Sequence, residues 1–238
     1  MPRELSDRDC REGFWRHRPE EGFPPPVIRY PEQYENFATA NIGCTQTNLP
    51  RSQQIKLVRK WCERLPRLEA LELVWFCSRV TQELFDAACH IPNLRGLYVK
   101  WSSIKRLDAL SHCRQLRFLR LGSSPAIESI EPLSKLANLV WLEIENFKRI
   151  HDLAPLAELR QLVGLTVEGS MWSTQIVDSL APIGRLSRLR YLNLANLRSK
   201  DKTLKPLYSL ENLELFHSAT WWKEEEMREL RAQNPKLR

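Results

Sequence analysis

Five histidines and six cysteines are the residues of this 238-residue chain best suited to catalysis or metal binding, and none is spaced for either. His17, His90, His112, His151 and His217 are dispersed, with no pair four residues apart. Cys10, Cys44, Cys62, Cys77, Cys89 and Cys113 form no Cys-x-x-Cys pair, so they read as small buried hydrophobes of a reduced protein. Nucleophile elbows, phosphate loops and dinucleotide fingerprints are missing as well. The sequence therefore predicts no catalytic residue, no metal ligand and no cofactor. What recurs instead is an aromatic ring or a carboxylate every twenty-odd residues, the make-up of a binding surface.

The elements that position those groups are written in leucine. Leu-x-x-Leu-x-(Leu/Ile/Val) occurs as Leu68-Leu71-Leu73, Leu94-Leu97-Val99, Leu116-Leu119-Leu121, Leu139-Leu142-Ile144, Leu162-Leu165-Val167, Leu189-Leu192-Leu194 and Leu210-Leu213-Leu215. Successive copies start 26, 22, 23, 23, 27 and 21 residues apart, within the range of leucine-rich repeats. One such unit cannot bury its own apolar face, so the copies must stack into a solenoid. Each motif predicts a short strand with leucines inward and alternate residues outward. Between motifs, Ile127, Ile130, Leu133, Leu136 and Leu139 recur every third residue, as do Ile150, Leu153, Leu156, Leu159 and Leu162. That period belongs to 3₁₀ turns. The longer units leave room for true helices near Val80–Cys89 and Thr174–Leu180.

Four regions follow. Residues 1–50 form an N-terminal arm that packs on the first repeats, proline-rich around Phe23–Pro31 and with an edge strand near Val27-Ile28. Residues 51–66 form a capping helix with Ile55, Val58, Trp61, Cys62 and Leu65 on its apolar face. Seven repeats occupy 67–218, and 219–238 form a C-terminal capping helix started by Thr220. The fold class is α/β: a curved solenoid with a parallel concave sheet, a convex side of 3₁₀ and short helical turns, and helical ends.

This pattern resembles the leucine-rich repeats of bacterial internalin-type proteins over residues 65–218. One departure concerns the family's asparagine ladder, whose place is taken by Phe76, Ser102, Ser124, Phe147, Ser170, Leu197 and Ser218. Serine must supply those hydrogen bonds, or they are missing.

The strand register selects the outward residues. Tyr98, Phe118, Trp141, Tyr191 and Phe216 place rings on the concave face, with Asn193 among them. Glu72, Glu143, Glu145, Glu168 and Glu214 oppose Lys100 and Arg120 there. A chain with net charge +7 thus presents an acidic, aromatic sheet. The expected function is non-enzymatic recognition of a basic protein, including as an immunity protein that neutralises a toxin. A host-directed bacterial effector acting by binding is an alternative. Another is nucleic-acid or polyanion binding along a basic rim of Lys105, Arg106, Lys148, Arg149, Arg198, Lys200 and Lys202. No charge-free apolar run has the length of a membrane span, and the charged N-terminus does not read as a signal peptide. A cytoplasmic protein without a membrane partner is the resulting expectation.

Overall fold

Leucine at every third position leaves the register of each strand open by three residues, and only the paired backbone decides it. In the computed structural model, which describes residues 4–218 and 222–237, eleven strands are found. They are β1 (Val27–Ile28), β2 (Thr39–Ile42), β3 (Leu73–Phe76), β4 (Gly96–Val99), β5 (Phe118–Leu121), β6 (Trp141–Glu145), β7 (Gly164–Glu168), β8 (Gln175–Val177), β9 (Tyr191–Asn193), β10 (Leu197–Ser199) and β11 (Leu215–His217). Nine of them form one parallel sheet in the order β1-β2-β3-β4-β5-β6-β7-β9-β11. A leucine-rich-repeat solenoid with a parallel concave sheet is thereby established.

The five inner repeats keep the register that their leucines dictate. Leu97, Leu119, Leu142, Leu165 and Leu192 align across the sheet and are fully buried in the main core. The two end repeats do not. Val74 aligns with Leu97, and Phe216 with Leu192. The true end copies are therefore Leu71-x-x-Val74-x-Phe76 and Leu213-x-x-Phe216, three residues later than the sequence suggested. Phe216 faces the main core, while Leu73, Trp75 and Leu215 face the concave side. Counted from Leu71, Leu94, Leu116, Leu139, Leu162, Leu189 and Leu213, the repeat lengths become 23, 22, 23, 23, 27 and 24 residues. The three-residue leucine period hid the slip, because either frame supplies an apolar residue at every spine position except Ser218 in the last repeat.

Helix α1 (Asp9–Glu12) lies in the arm, and α2 (Arg51–Arg64), between β2 and β3, packs against α3 (Gln82–Cys89), between β3 and β4. Thr81 caps α3 by accepting a bond from the Leu84 amide at 3.3 Å, and Leu84, Phe85 and Ala88 are fully buried. In α2 the buried face is Leu57, Val58 and Trp61, whereas Ile55 points to solvent. The convex side elsewhere is 3₁₀ helix, at Asp108–His112, Glu131–Lys135, Ala154–Glu158 and Lys205–Ser209.

No helix forms at Thr174–Leu180. Instead β8 pairs in parallel with β10 in a separate two-stranded sheet, since the alternation of buried Gln175 and Val177 around exposed Ile176 has a period of two. Helix α4 (Glu224–Gln233) closes the C-terminal end, with Leu230 fully buried and three glutamates in its first turn. Thr220, expected to cap it, lies outside the described residues. The serines at ladder positions do bond: Ser102 and Ser124 share a hydroxyl contact of 2.7 Å, and Ser124 also donates to the Gly122 carbonyl.

Candidate protein-recognition site

The concave sheet carries a second apolar layer. Phe14, Trp15 and Phe23 from the arm join Leu73, Trp75, Tyr98, Phe118, Trp141 and Tyr191 in a buried cluster distinct from the main core. Phe14 lies parallel to Phe118, ring centroids 3.9 Å apart, and meets Trp15 edge-on at 4.9 Å. Trp15 abuts Tyr98 at 5.5 Å and Trp75 at 5.8 Å, while Trp75 stacks on Tyr98 at 3.5 Å. Edge contacts such as those of Trp15 with Phe14, Tyr98 and Trp75 add to what burial alone contributes.

Charges complete the seam. Glu4 reaches Arg95 and, at 2.7 Å, Arg117; Asp7 binds Arg190 at 2.9 Å, which also holds Glu214 at 2.7 Å. The arm therefore stretches across the sheet from β3 to β9. Its own fold is pinned by a buried pair, Arg18 to Asp9 at 2.7 Å, with Arg18 also donating to the Gly13 carbonyl.

Of the residues expected to be open, Tyr98, Phe118, Trp141 and Tyr191 do sit on the concave face, and the arm buries them. Their number was legible, but their exposure was not. Trp141 is fully buried, its Nε1 donates to Glu143 at 2.7 Å, and its ring lies where a side chain on Gly164 would otherwise stand. Phe216 leaves the set altogether by pointing inward. Glu72 precedes β3 and pairs with Arg95 at 3.4 Å. Lys100 lies past β4, over the Trp101 ring at 4.7 Å. Leu73, expected inward as a motif leucine, and Trp75, expected beyond its strand, are concave residues, and Arg95, Arg117 and Arg190 border the face without having been singled out by the motif. For the first two the three-residue slip is the reason.

What stays partly open is a charged cleft of about 270 Å³ between the arm and the middle strands, bordered by Glu12, Arg16 and His17 on one side and Arg120, Glu168 and Asn193 on the other. Arg120 contacts Glu143 directly, Glu145 at 3.1 Å and Glu168 at 3.7 Å. Three carboxylates thus share one guanidinium. Burial, opposed by Arg120 and reinforced by Glu145 and Glu143, pushes the Glu168 carboxyl up to about 7. Burial also carries the Tyr191 phenol up to about 12. Arg120 itself is held charged: burial disfavours the cation, and Glu143 and its neighbours outweigh that.

On the rim, Arg149 is paired with Glu128 at 2.8 Å and Lys200 with Asp178 at 2.7 Å. Among the described residues no helix is long and apolar enough to cross a membrane.

Fold and face together define a leucine-rich-repeat protein whose concave sheet is lined by a segment of its own chain. Internalin C2 of Listeria monocytogenes is similar in structure, with 24% identity, 66% of this chain and 64% of that one covered, and a TM-score of 0.52. A leucine-rich-repeat protein of Leptospira interrogans matches at 15% identity over 74% of this chain and 56% of its own, with a TM-score of 0.49. The Arabidopsis receptor kinase HAESA ectodomain, solved with a peptide hormone, matches at 16% identity over 64% of this chain and 26% of its own, with a TM-score of 0.45. The chain thus spans less than two thirds of each of these structures. No protein-family model and no curated protein matches the sequence.

Proposed function

We propose that this chain acts by binding another protein, not by catalysis, and that its recognition surface is the composite of the arm and the middle of the concave sheet. The observation that carries this reading is the cleft just described. The rings around it are sealed, yet Glu145 and Glu168 remain about a quarter and a fifth exposed beside Arg120. A carboxylate surplus next to a rigid aromatic layer selects a basic partner electrostatically and demands little ordering on binding. Occlusion of a basic protein, as an inhibitor or an immunity protein for a toxin, is the form of action we favour. We place the protein in a reducing compartment, the cytoplasm, because its six cysteines stand free and four of them serve as buried apolar fill.

The test is affinity capture from the native cell with the intact chain and with a Glu145→Lys, Glu168→Lys double variant, followed by mass spectrometry. A basic partner retained by the first and lost from the second supports the proposal. Equal recovery by both chains would move recognition away from the cleft.

A further inference from the structure

Most of the large apolar side chains of this molecule are buried, but three neighbours near the C-terminal ends of the strands are not. Met171 and Trp172 are 86% and 90% exposed, and Ile176, four residues on, is 46% exposed. They are not the tip of a loose loop. Ser170 and Ser173 close the turn by exchanging backbone bonds, at 2.8 and 3.3 Å, and by a hydroxyl contact of 2.7 Å. Asn196 donates to the carbonyls of both Ser170 and Ser173, and Ser173 donates to Asn146 at 2.9 Å. Asn146 and Asn196, which clamp the turn from either side, hold left-handed φ values of 57° and 50°, a conformation asparagine tolerates better than most residues. A tryptophan and a methionine are thus held out into solvent on a stiff turn.

Two cations lie beside this tip. Arg198 is the register partner of Ile176, and both are exposed, so they lie side by side on the outer face of the two-stranded sheet. Lys148 is placed beside the turn by the bonds on either side of it: Asn146 accepts from Ser173, and the Ile150 carbonyl accepts from Gln175 at 2.8 Å. Arg149 and Lys200 are neutralised by Glu128 and Asp178. Lys148 and Arg198 have no ion pair among the described residues.

We propose that the Met171–Trp172 turn is a docking anchor for an anionic lipid surface, dipping its two apolar side chains into the headgroup region while Lys148 and Arg198 meet lipid phosphates. Tryptophan is the side chain best matched to that interface, being apolar in body with one N–H donor. Cations beside it draw the protein toward an anionic leaflet. A convex tip needs no pocket to receive it when the receiving phase is fluid. Nucleic acid is the weaker occupant: Trp172 is the single ring of the three and could stack on one base, while Met171 and Ile176 offer none.

The experiment is sedimentation of the full chain with phosphatidylcholine vesicles, with and without phosphatidylserine. Binding is expected only to vesicles containing phosphatidylserine, and it should weaken as salt rises. Trp172→Ala should reduce the affinity about tenfold or more, since full burial of such a ring is at stake. The Lys148→Glu, Arg198→Glu variant should abolish the preference for phosphatidylserine. All these positions are exposed, so each variant should keep its far-ultraviolet spectrum and melting point. Failure to bind either vesicle overturns the proposal, as does binding indifferent to Trp172→Ala. Retention on an immobilised oligonucleotide in place of vesicles overturns it too, as would loss of a protein partner on Trp172→Ala without any vesicle binding.

Discussion

Removing the Phe14 ring should detach the arm without unfolding the solenoid. Phe14 is fully buried and belongs to the aromatic cluster on the concave side, which the sheet separates from the main leucine core. Phe14→Ala removes the parallel stack on Phe118 and the edge contact to Trp15. Truncations of this kind cost about 3–5 kcal/mol, of which each aromatic pair accounts for about 0.5–1.5 kcal/mol. That loss falls on one short segment, whose other ties include the exposed ion pairs of Glu4 and Asp7, each worth about 1 kcal/mol or less, and the contacts of Leu5, Trp15, His17 and Phe23. Leu142→Ala serves as the reference. Leu142 lies in the main core of the same solenoid, and its truncation should cost about 2–5 kcal/mol of global stability. Urea unfolding followed by far-ultraviolet circular dichroism, with amide hydrogen exchange read by mass spectrometry, separates the two cases. In Phe14→Ala, protection should vanish over residues 4–23 and persist in β4 to β7, with a nearly unchanged midpoint. In Leu142→Ala the midpoint itself should fall. A single cooperative transition in Phe14→Ala, displaced as far as that of Leu142→Ala, would refute the claim that the arm is a separable layer.

Glu168 gives the molecule a pH dependence of definite sign. Its folded carboxyl keeps a proton up to about pH 7, whereas an ordinary glutamate loses it near 4.5. Between these values the folded state binds more protons than the unfolded one, so stability falls as pH rises from about 4.5 to about 7 and is level above; the size is on the order of 3 kcal/mol. Thermal melts across that window should show the decline, and Glu168→Gln should abolish it, leaving the variant more stable than the parent at pH 8. The same slope in the variant would assign the effect elsewhere. Trp141→Ala should cost about 3–5 kcal/mol in urea titration, because the fully buried ring also donates to Glu143; a change below about 1 kcal/mol would mean that the arm collapses onto the space left behind.

The solenoid was legible because its signal is repeated. Seven leucine copies each constrain the same register, and the inner five fix it: Leu142 points into the core, with Trp141 and Glu143 on the other side of the sheet. The end repeats were misread for a physical reason, since Leu68, Leu71 and Leu73, like Leu210, Leu213 and Leu215, satisfy the motif in a frame the backbone does not use. The strand at Gln175–Val177 was missed because three residues are too few to separate a period of 2 from one of 3.6. What no local pattern carried is the pairing of Phe14 with Phe118 or of Asp7 with Arg190, contacts between residues far apart in the chain and without a shared period. A hint existed in composition. Phe14, Trp15 and Phe23 are costly to leave in water, and the row of rings at Tyr98, Phe118, Trp141 and Tyr191 is equally costly to leave open. Two unpaired apolar surfaces in one chain, one on a non-repeating arm and one on a sheet, satisfy each other first. What that internal closure leaves exposed is a charged cleft beside the seam and a rim that carries an uncovered tryptophan.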